Sequence, residues 1–296
     1  MAVPDQPIGW FNPEKPHKPH NNKRRPPTAR QKRAQVSLDD GWTVVTSSST
    51  TATRIPTEGT SAHAHPKLPQ EEGLTVQKLQ QEYERYTEIF RASECARTVE
   101  EVLKRPRREE DVGWGIDTAV CVGLGQLSVE AAVRRRAMWQ LVLFLHVVEG
   151  LQGLGGGGGE RVKISAQEPN FTALDEELLK GLGVEVVAHP RGAEMVTERT
   201  FLYAPFLPWY VLLRDVLPGK DPRLYVGIDV HEVQERVELQ KGRYRLEEVG
   251  DEELEECLQV ARKFLEGRQR VRVGEFEGER NALEGLWVYW REVEEG

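Results

Sequence analysis

Thr118-Ala-Val-Cys-Val-Gly-Leu-Gly-Gln-Leu-Ser128 is the stretch that decides how this chain folds. A short β-branched run, Thr118–Val122, enters a Gly-x-Gly turn, and an apolar segment of helical length follows as far as Glu149. Glycines let a backbone turn tightly and approach a ligand, and a helix start beyond them offers unpaired N–H groups. An open α/β sheet begins a nucleotide-type pocket in this way. The fingerprint is incomplete, because Gly123 and Gly125 are present while Ser128 stands where a third glycine belongs. Two readings follow: a loop that cradles a ligand, or plain strand-to-helix turn chemistry.

Downstream, strand and helix patterns alternate. Val129–Leu151 reads as a helix, with Arg134, Arg135 and Arg136 in its first half and a second half apolar nearly all round. Five consecutive glycines at 155–159 mark an inserted flexible loop. Arg161–Ser165 is the next strand, Leu174–Leu182 a helix ended by Gly183, and Val184–Val187 a strand. Thr200–Tyr203, Trp209–Val216 and Arg223–Gly227 continue the series as strand, short helix and strand. Asp251–Glu266 is an amphipathic helix, and Arg270–Phe276 and Leu286–Trp290 are terminal strands. Before the glycine turn, Thr75–Leu103 has helical spacing, with Thr98-Val-Glu-Glu101 as a capping box opening a second helix. The order implies an α/β, Rossmann-like, mainly parallel sheet with helices on both faces, spanning about residues 75–296.

Ligands of such sheets bind beyond the carboxyl ends of the strands. The candidate binding residues there are Gly123, Gly125, Gln126, Glu168 and Asp229. Glu168 follows the second strand, where a carboxylate grips ribose hydroxyls; the competing reading is that Glu168-Pro169 merely turns the chain. Any ligand is expected to set a hydroxyl-bearing group against Glu168 and its negative charge near Gln126. Asp229 and His231 form the one acid–histidine pair at a strand end, a candidate general base. No nucleophile elbow, phosphate-binding P-loop or metal-spaced cluster is present in the sequence, so no catalytic and no metal residue is assigned. Cofactor identity stays open. Heme on Cys121 or His146 is a weaker reading, because the Cys-Pro dipeptide of heme-regulatory sites is missing.

Charge separates the chain into an arm and a body. Residues 1–70 carry a net +5 and the remainder −13. The arm is rich in Pro, Ser, Thr, Lys and Arg and is expected to be disordered. It holds one strand-like island, Asp39-Asp-Gly-Trp-Thr-Val-Val-Thr46, read as a docking segment or an added edge strand. An acidic body argues against direct nucleic-acid binding. Ala137–Val148 is too short to span a bilayer, and three scattered cysteines without a C-x-x-C pair fit a reducing compartment. No secretory signal opens the sequence, so a soluble intracellular protein is expected.

Taken in order, several motifs resemble the sensitivity-to-red-light-reduced (SRR1-like) domain family of eukaryotic regulatory proteins. They are Gly41-Trp-Thr-Val-Val45, Cys121-Val-Gly-Leu-Gly125, Gln140-Leu141, Gln167-Glu-Pro169, Leu178-Leu179 with Leu182-Gly183, Tyr203-Ala-Pro205, and Gly227 with Asp229. The match covers about residues 110–235 plus the Trp42 patch. Gln167, Phe206 and Ile228 stand where family members commonly have tyrosine, histidine and asparagine, and the glutamine and Trp-rich tail look like a fungal branch. The resemblance implies a regulatory role in light signalling, circadian timing or control of heme biosynthesis. The reading is therefore a non-enzymatic regulatory or adaptor protein with protein partners, cytoplasmic and nuclear. The alternative is an enzyme binding a nucleotide or an S-adenosylmethionine-like cofactor at the Gly-x-Gly turn.

Lys23-Arg-Arg25 and Arg30-Gln-Lys-Arg33 resemble a nuclear-import signal. Replacing their Lys and Arg residues by Ala is expected to move a fluorescent fusion toward the cytoplasm. An unchanged distribution by microscopy would leave the arm as a solubilising tail.

Overall fold

Strands of this chain alternate their side chains between two apolar faces, and each face collects its own helices. The computed structural model describes residues 34–37, 43–46, 67–105, 114–153, 161–240 and 250–291. Lys23–Arg33, Trp42 and the 155–159 glycines lie outside the described residues. The chain divides into two compact units, residues 1–60 and 61–296. In the first, β1 (Ala34–Ser37) and β2 (Thr43–Thr46) pair antiparallel, with Gln35 opposite Val45, as a two-stranded sheet of their own.

The second unit opens with α1 (Val76–Arg91), whose first turn is capped by Thr75, and α2 (Glu94–Leu103), capped by Ser93. Ser93 Oγ accepts from Ala96 N at 3.2 Å. The capping box expected at Thr98 is therefore interior to α2, because Ser93 starts the helix five residues earlier. Then come β3 (Thr118–Val122), α3 (Ala131–Gly153), β4 (Lys163–Gln167), α4 (Ala173–Gly181), β5 (Glu185–Val186) and α5 (Arg191–Glu194). They are followed by β6 (Thr200–Ala204), α6 (Trp209–Val211), which widens into a π turn over Leu212–Val216, and β7 (Leu224–Gly227). The chain continues with α7 (Val230–Gln240), α8 (Asp251–Leu265), β8 (Arg268–Arg272), α9 (Arg280–Leu283) and β9 (Trp287–Arg291).

The seven-stranded sheet has the order β5-β4-β3-β6-β7-β9-β8. β3 starts in the middle, β4 and β5 add on one side and β6 and β7 on the other, all parallel. This is Rossmann topology, and the crevice where the strand order reverses lies at the carboxyl ends of β3 and β6. β9 runs antiparallel to both β7 and β8, so β8 rejoins the common direction. Of the two terminal strands, one is antiparallel to the rest.

Cys121, Phe201, Tyr203 and Val226 point to the face covered by α1, α2, α3, α4 and α9. Val120, Leu202, Ala204 and Tyr225 point to the other, covered by α7, α8 and the α6 region. Two-residue alternation places consecutive residues of each strand in different cores. α3 is buried along most of its length, which explains its nearly continuous apolar sequence, and it also buries Arg134. α7 escaped the sequence reading, although Val230, Val233 and Val237 carry its spacing and all three are buried. Among the described residues no helix is long and apolar enough to cross a membrane.

His146 sits in α3 with its side chain 11% exposed, edge-on to Phe90 of α1 and with Nε2 3.7 Å from Glu100 of α2. Burial holds its pKa below the usual histidine value, against the opposing pull of Glu100 and Glu149, with Arg91 adding to the depression. The unfolded chain then binds a proton near pH 6.5 that the folded chain refuses, so stability falls as pH drops below that value. His146→Gln is expected to flatten the fall in melting temperature between pH 7.5 and 5.5. An identical slope in the variant would show that His146 does not contribute to it.

Candidate functional site

β3 leaves the sheet through Gly123 and Gly125, both in the left-handed region at φ +77° and +83°. Only glycine takes that conformation without strain, which is why the turn needs both. The turn is wired to the end of β4. Gly123 N donates to Gln167 O at 3.0 Å, and Gly125 N to Glu168 Oε2 at 3.1 Å. The other carboxylate oxygen of Glu168 accepts from Asn170 N at 3.1 Å. The Glu168 carboxylate thus bonds both the chain turn that follows β4 and the glycine turn that follows β3. Leu207 lies over the turn, its Cδ1 3.0 Å from where a Cβ on Gly123 would sit.

α3 begins at Ala131, so residues 126–130 intervene between the turn and the helix. The expected start at Val129, and with it a helix N-terminus beside Gln126, is corrected. The cause is competition for these residues by non-helical partners. Leu127 N donates to Asp175 Oδ1 at 3.2 Å, Ser128 Oγ lies 2.8 Å from Thr172 Oγ1, and Arg134 Nη1 bonds the Val129 carbonyl. Asp175 is at the same time the N3 partner of the Thr172 capping box of α4. The Gln126 carboxamide is spent on the backbone of Leu68: Oε1 accepts from Leu68 N at 2.8 Å and Nε2 donates to Leu68 O at 3.3 Å.

Gln167 ends β4 buried, its Oε1 accepting from Gly192 N at 2.8 Å and its Nε2 3.3 Å from His189 Nδ1. On β6, Tyr203 faces Cys121 in the parallel register. Both are fully buried, and burial pushes the phenol and the thiol well above their ordinary pKa values, so both stay protonated. Among the described residues the Tyr203 hydroxyl has no hydrogen-bond partner. Three residues on, Phe206 adopts φ +52° and carries the Arg136 guanidinium 3.9 Å from its ring centroid. Sequence reasoning missed Arg136, which it read only as one of three arginines in the first half of the helix; Tyr203 stood out already in Tyr203-Ala-Pro205, at the end of a strand beside the glycine turn.

Asp229 is placed apart from this group. It caps α7, accepting from His231 N at 3.0 Å and Glu232 N at 3.3 Å. Arg270 Nη1 of β8 reaches its two oxygens at 2.5 and 2.7 Å, and the Tyr289 hydroxyl of β9 also donates to it. Burial, then the Asp229 carboxylate, raises the Tyr289 pKa. These partners lie on the β7–β9–β8 side of the sheet. The His231 ring turns to Glu235, with Nδ1 3.6 Å from Oε1, so Asp229 holds the backbone of His231 and does not orient its imidazole as a base. Cys121 lies inside β3 and His146 inside α3, each enclosed by core contacts. Among the described residues no group of three or more His, Cys, Asp or Glu is arranged to hold a metal.

The chain belongs to the SRR1 domain family, whose model matches residues 76–290. That span takes in α1, the whole seven-stranded sheet but for the last residue of β9, and every candidate residue above. No curated protein matches the chain.

Asp229→Ala removes a helix cap and strands Arg270, which is expected to cost about 2–4 kcal/mol in urea unfolding. Asp229→Asn keeps an accepting oxygen for the cap and is expected to cost less. Equal losses for both would show that the cap contributes nothing beyond the charge.

Proposed function

We propose that this SRR1-family protein is a regulatory or adaptor protein that works through protein partners and runs no reaction at the glycine turn. One observation carries the reading: the polar groups that such a sheet offers to a nucleotide are engaged inside the protein. Gly125 N and Asn170 N occupy Glu168, Leu68 occupies Gln126, and Arg270, Tyr289 and the α7 amides occupy Asp229. A ligand gains little from a donor or acceptor that must first be taken from a partner in the protein. The resemblance adds the regulatory context of light, clock or heme control, with cytoplasmic and nuclear pools.

The alternative, an enzyme using a nucleotide or S-adenosylmethionine-like cofactor, is favoured by the position of the turn at the topological switch point, with an acid at the end of the next strand. Thermal-shift titration decides between them, since a ligand bound only by the folded state raises its melting temperature. ATP, NAD, S-adenosylmethionine and hemin are each expected to leave it unchanged at 1 mM or at their solubility limit. A saturable rise with a nucleotide or S-adenosylmethionine that Gly125→Val abolishes would establish the enzyme-type pocket instead.

A further inference from the structure

The segment Lys67-Leu-Pro-Gln-Glu71, just before α1, is held in an unusual way. Pro69 disfavours a helical backbone at Leu68, and residues 67–70 take no regular structure. The segment's own side chains contribute little burial: residues 67–70 are exposed, Leu68 to 40%. What holds it is polar and directed at its backbone. The Gln126 carboxamide bonds both the N–H and the C=O of Leu68, as a neighbouring strand would. Lys67 Nζ reaches Phe171 O at 3.4 Å, and Glu71 N donates to Ser128 O at 2.9 Å. The Glu71 carboxylate ends on Arg134 Nη1 at 2.5 Å, against an arginine whose side chain is only 6% exposed.

A core segment is fixed by its apolar side chains; this one is read by its amide groups and one acidic residue, as a docked peptide is. Its detachment also leaves a sound receptor. Arg134 keeps Glu82, 3.0 Å from its Nε, and the Val129 carbonyl. Elements with few apolar contacts open locally at small cost.

We infer that the groove formed by Gln126, Ser128, Phe171 and Arg134 is a peptide-docking site that residues 67–71 fill in cis. The partner it fits is an extended protein segment with a free amide N–H and C=O at one residue and a carboxylate three residues later. This deepens the adaptor reading, since it names the chemistry by which a partner is recognised. A covalently attached occupant competes at an effective concentration in the millimolar range, so a free peptide is excluded until the resident segment is weakened.

The test uses the full chain and a fluorescein-labelled octapeptide, Lys67-Leu-Pro-Gln-Glu-Glu-Gly-Leu74, followed by fluorescence anisotropy. Leu68→Pro/Glu71→Ala removes the donor to Gln126 and the charge on Arg134, and Glu71→Ala alone is the milder variant. The peptide is expected to bind the folded variants at least about tenfold more tightly than the wild type. Adding Gln126→Ala, or placing Lys at the peptide's fifth position, should abolish the gain. Folded variants that bind no better than the wild type, or that bind a scrambled octapeptide equally well, would overturn the proposal. So would failure of both variants to fold, because the segment would then be part of the core. The outcome is independent of the small-molecule titration: that screen can reveal a nucleotide while this groove still binds peptide, and the reverse.

Discussion

Two amide hydrogens at the carboxyl end of β3, those of Gly123 and Gly125, find their acceptors on the Gln167 carbonyl and the Glu168 carboxylate at the end of β4. A buried N–H without an acceptor costs about 1–3 kcal/mol; Gly123 N continues the β3–β4 ladder, whereas Gly125 N lies past it and is met by a side chain. The chain answers by placing a carboxylate directly after β4 and closing it from the far side with Asn170 N. Once the turn is tied to β4, residues 126–130 must cross toward α4 before α3 can start. That crossing is what brings Leu127 to Asp175, Ser128 to Thr172, and Gln126 to Leu68.

Function follows from where the polar groups end up. A Rossmann sheet offers ligands the amides of its first turn, the acid after its second strand and the loops at its switch point. Here the first two are bonded to each other, and Phe206 and Leu207 lie beside the turn, the former stacked under Arg136. Asp229, at the end of β7, is an anchor for the appended strands: it joins α7, β8 and β9 through one carboxylate. The sheet is thus knit together at its carboxyl edge by acids that face the protein. Over residues 126–128 the polar groups turn instead to the segment before α1, the contact proposed above as a docking groove.

Much of this was legible in the sequence, and the rest was hidden for physical reasons. Thr118–Val122 with its two glycines located the central strand and the turn, because β-branched residues and a Gly-x-Gly leave few other conformations. Strand–helix alternation then fixed the parallel sheet. Local signals failed where long-range partners decide. The segment before α3 is held by partners the local sequence does not show: Leu127 bonds Asp175 and Ser128 lies against Thr172, each more than forty residues away. Arg134 stood in a run of three arginines with no partner visible in the sequence, yet the fold buries it and pairs it with Glu71 and Glu82. Asp229 and His231 stood out as a candidate general-base pair because sequence shows proximity and not direction: the carboxylate bonds the histidine's amide while Arg270 arrives from β8. Glu168 lies beside the glycine turn, and its engagement by two backbone amides is visible only in three dimensions.

The measurement that bears most directly on this account is amide hydrogen exchange at Gly125, read site by site by NMR. If the turn is a closed joint, the Gly125 amide is expected to exchange at the slow rate of the neighbouring β3 core, and Glu168→Ala is expected to release it while β3 stays protected. Rapid exchange of Gly125 in the wild-type chain, at the rate of an open loop, would show that the turn faces solvent with its donor free and would contradict the account.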